Sequence, residues 1–187
     1  MSISIKNTNT RKSIKEDISD YTVIDLETTD VNIYKCEIIE VSAVKVRDNE
    51  ITDKFSSLVK PVGIISSLIT SITGITNDMV KNSPGIGDIL PDYLEFIGDD
   101  IILGHNVACF DRNIIKIYCE KLGLPPFMND TLDTLTYARK CNLDVPNRKL
   151  TTLTEYFGIC HNDAHRALAD CIANHYCYQE LKKHYVK

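Results

Sequence analysis

The stretch YTVIDLETTD, residues 21–30, sets two carboxylates one residue apart inside a run that otherwise reads as a buried strand. Side chains at i and i+2 of a strand share a face, so Asp25 and Glu27 stand together while Ile24 and Leu26 turn to the other side. Two like charges held together at the margin of a core are costly unless something positive joins them. A Glu27 that is merely the first solvated residue past the strand would also explain the pattern, and a lone D-x-E arises easily. The rest of the chain has to decide between a strand end and a site.

Working outward, residues 21–27 form the first strand. EIIEVSAVKVRDNEITDKFSSLVKP, residues 37–61, reads as two more strands joined by a turn at Asp48-Asn49, with Pro61 ending the second. Helical periodicity follows over 85–97, where Pro91 is placed to break or kink it. DIILGH, residues 100–105, is a short apolar strand ending in polar residues. In ACFDRNIIKIYCEKLG, residues 108–123, Phe110, Ile114, Ile117 and Leu122 fall near one helical stripe, and Gly123 is placed to stop it. TLDTLTYARK (131–140), KLTTLTEYFGI (149–159) and residues 164–184 add further helix. A hairpin of strands followed by mixed strands and helices predicts one α/β domain with a mixed sheet over residues 20–187. Residues 1–19, polar with scattered Lys and Arg, read as a flexible arm.

The bulk composition excludes several classes. The 187 residues suit one domain with a sizeable core, at 43% hydrophobic and 25% charged. No apolar run reaches the ~18 residues of a membrane span, and MSISIKNTNTRKSIKED lacks the apolar segment of a secretory signal, so a cytoplasmic protein is expected. Seven scattered cysteines without a C-x-x-C pair argue for reduced thiols. Cys160, His161, His165, Cys171 and His175 crowd the C-terminal region, but their spacing matches no standard zinc pattern. The net charge of −5 would be unusual for a protein gripping long duplexes through phosphates. Acidic groups that bind divalent ions reverse the local sign, so the charge does not exclude a nucleic-acid enzyme.

Two further segments place polar residues where a plain structural reading would not. In GHNVACFDRN, residues 104–113, a strand ends at Gly104-His105-Asn106 and Asp111 opens the next helix. Strand ends of α/β sheets are usual ligand positions, although Asp111 could simply complement the helix dipole. In HNDAHRALADCIANHY, residues 161–176, His165 and Asp170 are five apart, about 140° around a continuous helix. They converge only if His165 lies on the loop before the helix, which a cap at Asn162 or Asp163 would allow. A capped surface helix with incidental histidines is the plainer alternative.

Together the segments offer Asp25, Glu27, Asp111 and Asp170 with one histidine, His165. Carboxylates without thiolates suit Mg²⁺ or Mn²⁺, and a pair of such ions can activate water and stabilise the leaving oxygen of a phosphodiester. A histidine can take the proton from that water near neutral pH. No G-x-x-x-x-G-K-[ST] loop is present, which disfavours ATP hydrolysis.

VIDLETT, HNVACFD and HRALAD, in this order, resemble the DEDDh 3′–5′ exonucleases of the DnaQ-like superfamily, and among them the epsilon-type proofreading subunits of bacterial DNA polymerase III. The likeness runs from about Asp20 to about His184 and includes EIIEVSAVKV, ITGITNDMV, LDTLTYAR and KLTTLTEYFGI. It implies a ribonuclease H-like fold, a mixed five-stranded sheet with helices on both sides. It also implies two divalent metal ions, Mg²⁺ or Mn²⁺, held by Asp25, Glu27, Asp111 and Asp170, with His165 as general base. Leu26, Thr28 and Thr29 would meet the 3′-terminal nucleotide, and Thr73, Gly74, Ile75, Asn106 and Phe110 would line its base and sugar pocket. The implied reaction releases nucleoside 5′-monophosphates from single-stranded or frayed DNA, in proofreading or repair, with a DNA polymerase catalytic subunit as a candidate partner. The alternatives are an exoribonuclease of the same superfamily and a non-catalytic nucleic-acid-binding domain. Asp30 stands where family members commonly have glycine, so that turn should differ or place Asp30 in the left-handed region. Thr73 stands where many epsilon-type members carry histidine.

Overall fold

Three long strands come first in the computed structural model, which describes residues 18–162 and 164–185. The expected arm therefore lies almost wholly outside the described residues. β1 (Tyr21–Thr28), β2 (Ile38–Arg47) and β3 (Glu50–Leu58) are followed by two short helices, α1 (Ser67–Thr73) and α2 (Asn77–Val80). Then come α3 (Ile86–Ile97), β4 (Ile102–Gly104), α4 (Asp111–Leu122), β5 (Thr131–Asp133), α5 (Thr134–Lys140), α6 (Leu150–Phe157) and α7 (Ala167–His184). The sheet order is β3-β2-β1-β4-β5. β2 is antiparallel to β1 and β3, whereas β4 is parallel to β1 and β5 to β4. This is the expected mixed five-stranded sheet.

The β2–β3 hairpin closes through a two-residue loop at Asp48 (φ 51°) and Asn49 (φ 65°). Positive φ at both central residues is what a hairpin turn matching the twist of its strands needs, and Asp and Asn tolerate it. Alternation along β1 then sorts two cores. Ile24 and Leu26 pack with Val41, Ala43, Leu90, Tyr93, Ile114 and Ile115 under α3 and α4. Tyr21 and Val23 pack with Leu103, Leu132, Tyr137, Tyr178 and Leu181 under α5 and α7. A third cluster, Ile39, Ile65, Ile75 and Val80, holds α1 and α2 to the sheet. Among the described residues no helix is long and apolar enough to cross a membrane.

Two local expectations are corrected and two are narrowed. Thr131–Asp133, expected as the start of a helix, forms β5, because its alternating Leu132 is buried beside Leu103 and the helix begins only where Asp133 caps it. In α4 the buried positions are Asp111, Arg112, Ile114, Ile115 and Cys119, while Leu122 of the expected stripe is 41% exposed. The helix is rotated so that Ile115 and Cys119, one turn apart, face the sheet. α3 continues through Pro91 without ending there. Asp30 does not take a left-handed conformation; its carboxylate accepts from Asn32 N at 2.9 Å and its carbonyl accepts from Thr28 Oγ1 at 2.9 Å, closing the turn with ordinary φ.

Candidate active site

β4 is short, and that opens the site. It pairs with β1 only at Thr22 and Val23, so the carboxyl end of β1 projects past its parallel neighbour. Leu26 N, left without a strand partner on that side, donates instead to Asp111 Oδ1 at 3.2 Å. The first residue of α4 thus delivers its carboxylate beside Asp25 by capping a broken ladder. β4 itself is pressed close: a Cβ on Gly104 would lie 2.7 Å from Val107 Cβ and 3.0 Å from the Ile24 carbonyl. Only glycine allows that approach.

From the other face comes α7. Asp170, in its first turn, brings a carboxylate oxygen within 4.8 Å of oxygens on Asp25 and Glu27. This trio is the one group of metal-competent side chains that meets that criterion among the described residues. His165 lies on the turn before α7, at φ 65°, and its N–H points to Asp170 Oδ1 at 3.4 Å. The histidine thus sits on the loop before the helix and the aspartate inside it, the arrangement their spacing required for convergence. The cap differs from expectation. Arg166 is the N-cap residue and gives no side-chain cap; Asn162 is exposed on a turn, and Asp163 lies outside the described residues. The Glu40 carboxylate, from β2, takes Ala167 N at 3.0 Å instead.

The charges explain the cost of the arrangement. Burial, then Asp111, Asp170, Glu27 and Glu40, push the Asp25 carboxyl well above the usual carboxylate range. Burial raises Glu27 to about 8, reinforced by Asp170, Glu40 and Asp111 and opposed by Arg166. Asp111 rises to about 7 through burial, partly offset by the N–H groups that it accepts. Asp170 is raised by burial and held back by His161 and His165. Such a set prefers either protons or a cation between its members.

Sequence reading missed three residues here. His161 Nε2 lies 2.5 Å from Asp170 Oδ1 with its side chain only 6% exposed, and nothing in its spacing set it apart from neighbouring histidines. Glu40 and Arg166 form a two-pronged ion pair, 2.7 and 3.2 Å, directly beside the acids. The buried glutamate within IIEVSAV was the available signal, because a charge among strand residues is seldom buried without a partner.

The proposed nucleotide contacts divide. Gly74 caps α1 at φ 71°, and Asn106 is exposed at φ 66°. Leu26 is buried at the end of the core, and Phe110 is partly buried against the same core. Thr29 Oγ1 accepts from Glu37 N, so it is engaged in the loop. Ile75 is fully buried in the α1–α2 cluster and the Thr73 hydroxyl bonds the Ile69 carbonyl, so in this structure neither side chain lines an open pocket. The C-terminal cysteines and histidines do not gather for zinc: Cys171 Sγ faces the Val23 and Ser42 carbonyls, and His175 Nδ1 pairs with the Tyr21 hydroxyl at 2.9 Å. A cleft of about 700 Å³ runs from Asp170, His165 and His161 past His105 and Asn106 to Arg139, Arg148 and Lys149.

The family model RNase_T, described as Exonuclease, matches residues 22–178. The chain belongs to this exonuclease family. It is 41% identical over 150 residues to the DNA polymerase III subunit epsilon of Aquifex aeolicus, covering 80% of this chain and 74% of the relative. It is 42% identical over 154 residues to the PolC-type DNA polymerase III of Caldanaerobacter subterraneus, covering 82% of this chain but only 11% of that much longer protein. Among solved structures, Escherichia coli exonuclease I in complex with a dT13 oligonucleotide superposes with a TM-score of 0.78 at 19% identity, over 89% of this chain and 42% of the other. Exonuclease X in complex with 5′ overhanging duplex DNA gives 0.70 at 27% identity, over 87% and 90%. The exonuclease domain thus shares its sheet and flanking helices with both.

Proposed function

We propose that this exonuclease domain hydrolyses phosphodiester bonds from the 3′ end of single-stranded or frayed DNA, with two divalent ions, Mg²⁺ or Mn²⁺, and releases nucleoside 5′-monophosphates. The observation that carries the reading is the trio of carboxylates at the open end of β1, mutually within 4.8 Å, whose Asp170 lines the cleft together with His165. The donor set fits the ions: hard oxygens, pushed toward protonation by burial and by one another, gain most from a divalent cation. Asp25, Glu27 and Asp170 would hold the ions, with Asp111 beside them. Bound there, the ions would lower the pKa of water and offset charge on the phosphate.

The chain's own groups supply the rest. His165 accepts the proton of the attacking water. Asn106 and Gly74, each in a left-handed conformation, bring main chain close to the terminal nucleotide. Arg139 and Lys149 on the far wall of the cleft attract the phosphates upstream of the scissile bond. Arg148 has a structural share as well, since its guanidinium donates to the Ala138, Leu143 and Val145 carbonyls. The epsilon and PolC-type relatives support a role in proofreading beside a polymerase catalytic subunit.

An exoribonuclease would use the same acids, and contacts to the 2′-OH decide between the two. The experiment is digestion of 5′-labelled DNA and RNA oligomers of matched sequence with Mg²⁺, with Mn²⁺ and with EDTA. The expected result is a ladder shortening from the 3′ end, mononucleotide product, faster loss of DNA than RNA, and no reaction in EDTA. Release from the 5′ end, or full activity in EDTA, would overturn the proposal; faster loss of RNA would shift it to the ribonuclease.

A further inference from the structure

The Glu40–Arg166 pair has a position that stability alone does not require. Glu40 stands opposite Glu27 in the β1–β2 register, with its side chain 3% exposed. A buried carboxylate beside four other acids adds repulsion to a site already short of positive charge. What it gains is a grip on the start of α7. Oε1 accepts from Arg166 Nη2 at 2.7 Å, and Oε2 accepts from Arg166 Nε at 3.2 Å and from Ala167 N at 3.0 Å. Two consecutive residues of one turn are thereby tied to the central sheet, and the preceding residue is His165.

His165 has φ 65°, a left-handed conformation that costs a non-glycine residue free energy and persists where its surroundings over-determine it. On its C-terminal side, the three bonds to Glu40 do so. Within the turn, its N–H reaches Asp170 Oδ1, and Asp170 N donates to the Arg166 carbonyl at 3.0 Å. The direction of the exposed imidazole therefore depends on where Arg166 and Ala167 are pinned. A planar guanidinium gripping two carboxylate oxygens fixes angle as well as distance, which a lysine could not do.

We propose that Glu40 and Arg166 form a positioning clamp that holds His165 in its left-handed turn beside the acidic cluster, so that the rate of the chemical step depends on a pair that is not itself among the reacting groups. This rests on His165 acting as the general base of the exonuclease reading. Misplacing a reacting group by about 1 Å can cost on the order of 100-fold in rate.

The test is the double variant Glu40→Gln/Arg166→Met, which removes the clamp without stranding a buried charge. Its kcat on a 3′-ended single-stranded DNA oligomer with Mn²⁺ should fall at least about tenfold while KM stays within about threefold. Added to His165→Ala, measured by single turnover with enzyme in excess, the same pair of changes should cost less than about twofold more, because what the clamp positions is gone. Arg166→Lys should lie between wild type and the double variant. Equal losses with and without His165, or a rise in KM alone, would overturn the clamp. So would an active wild type matched by an equally active double variant. A wild-type chain inert on every 3′-ended substrate would overturn the exonuclease reading and the clamp with it.

Discussion

Replacing Glu27 with glutamine should stabilise the metal-free protein, and by an amount that depends on pH. Burial and three neighbouring acids raise the native Glu27 carboxyl from 4.5 to about 8. A carboxyl raised in this way contributes stability that is complete below the unfolded value and is lost as pH climbs through the folded one. Between pH 6.5 and pH 8 the native state holds a proton that the unfolded chain has released, so stability falls by about 1.4 kcal/mol per pH unit. Over that window the loss is about 2 kcal/mol. Glutamine cannot titrate and keeps nearly the same volume, so it removes this slope. For a domain of this length about 2 kcal/mol corresponds to roughly 4–8 °C in Tm. The assay is thermal unfolding in EDTA at several pH values from 6.5 to 8.5, wild type against Glu27→Gln. The variant's Tm should pull ahead as pH rises, and Mn²⁺ should close the gap by stabilising wild type. Parallel curves for the two proteins would refute the charge argument and the buried, mutually repelling cluster on which it rests.

Three other perturbations follow from the same geometry. Gly104→Ala sets a methyl 2.7 Å from Val107 Cβ and 3.0 Å from the Ile24 carbonyl. It should cost about 1–3 kcal/mol in urea unfolding and disturb β4 beside the site; an unchanged midpoint would contradict the close approach. His175, buried against the Tyr21 hydroxyl, is lowered from 6.5 to about 4 by desolvation and then by Lys182. Its neutral form therefore supports the fold above pH 6.5, and that support, about 3 kcal/mol, is lost as pH falls toward 4. His175→Gln should lack this part of the acid sensitivity, and equal slopes for variant and wild type between pH 6.5 and 4.5 would show the histidine already charged or exposed. His165→Ala should lower kcat by about 10²–10⁴ with KM changed only a few-fold, the signature of a lost proton acceptor. A pure KM effect would make His165 a substrate-binding residue.

The sheet was legible where β-branched and apolar runs are bounded by turn residues. β1 and β2 are apolar runs buried on both faces, and Asp48-Asn49 is a turn with its own stereochemical reason. β5 was not legible, because three residues leading into a helix carry too little pattern to separate from it. α7 was readable as a helix but not by its stripe: Asp170, Asn174 and His175 are buried on it, satisfied by groups distant in sequence such as Thr134 and Tyr21. For the site, Asp25 and Glu27 were visible as neighbours on a strand, and His165 with Asp170 as a pair that needed a loop between them. The nucleotide contacts were less visible, since whether Ile75 faces a pocket or a core depends on how α1 packs. Glu40 could be singled out as a charge within an apolar strand, but its partner Arg166, 126 residues away, lay beyond any local pattern.

The three-residue length of β4 has a wider consequence. A strand two residues longer would satisfy Leu26 N with a carbonyl, leave Asp111 without its place, and cover the flank of Asp25 with main chain. The candidate active site is thus a gap in a hydrogen-bonded lattice, decorated afterwards with acids. In protein engineering, the lever is then the point at which the chain leaves β4. A single residue added before Gly104 should shift the whole gap, whatever side chain it carries.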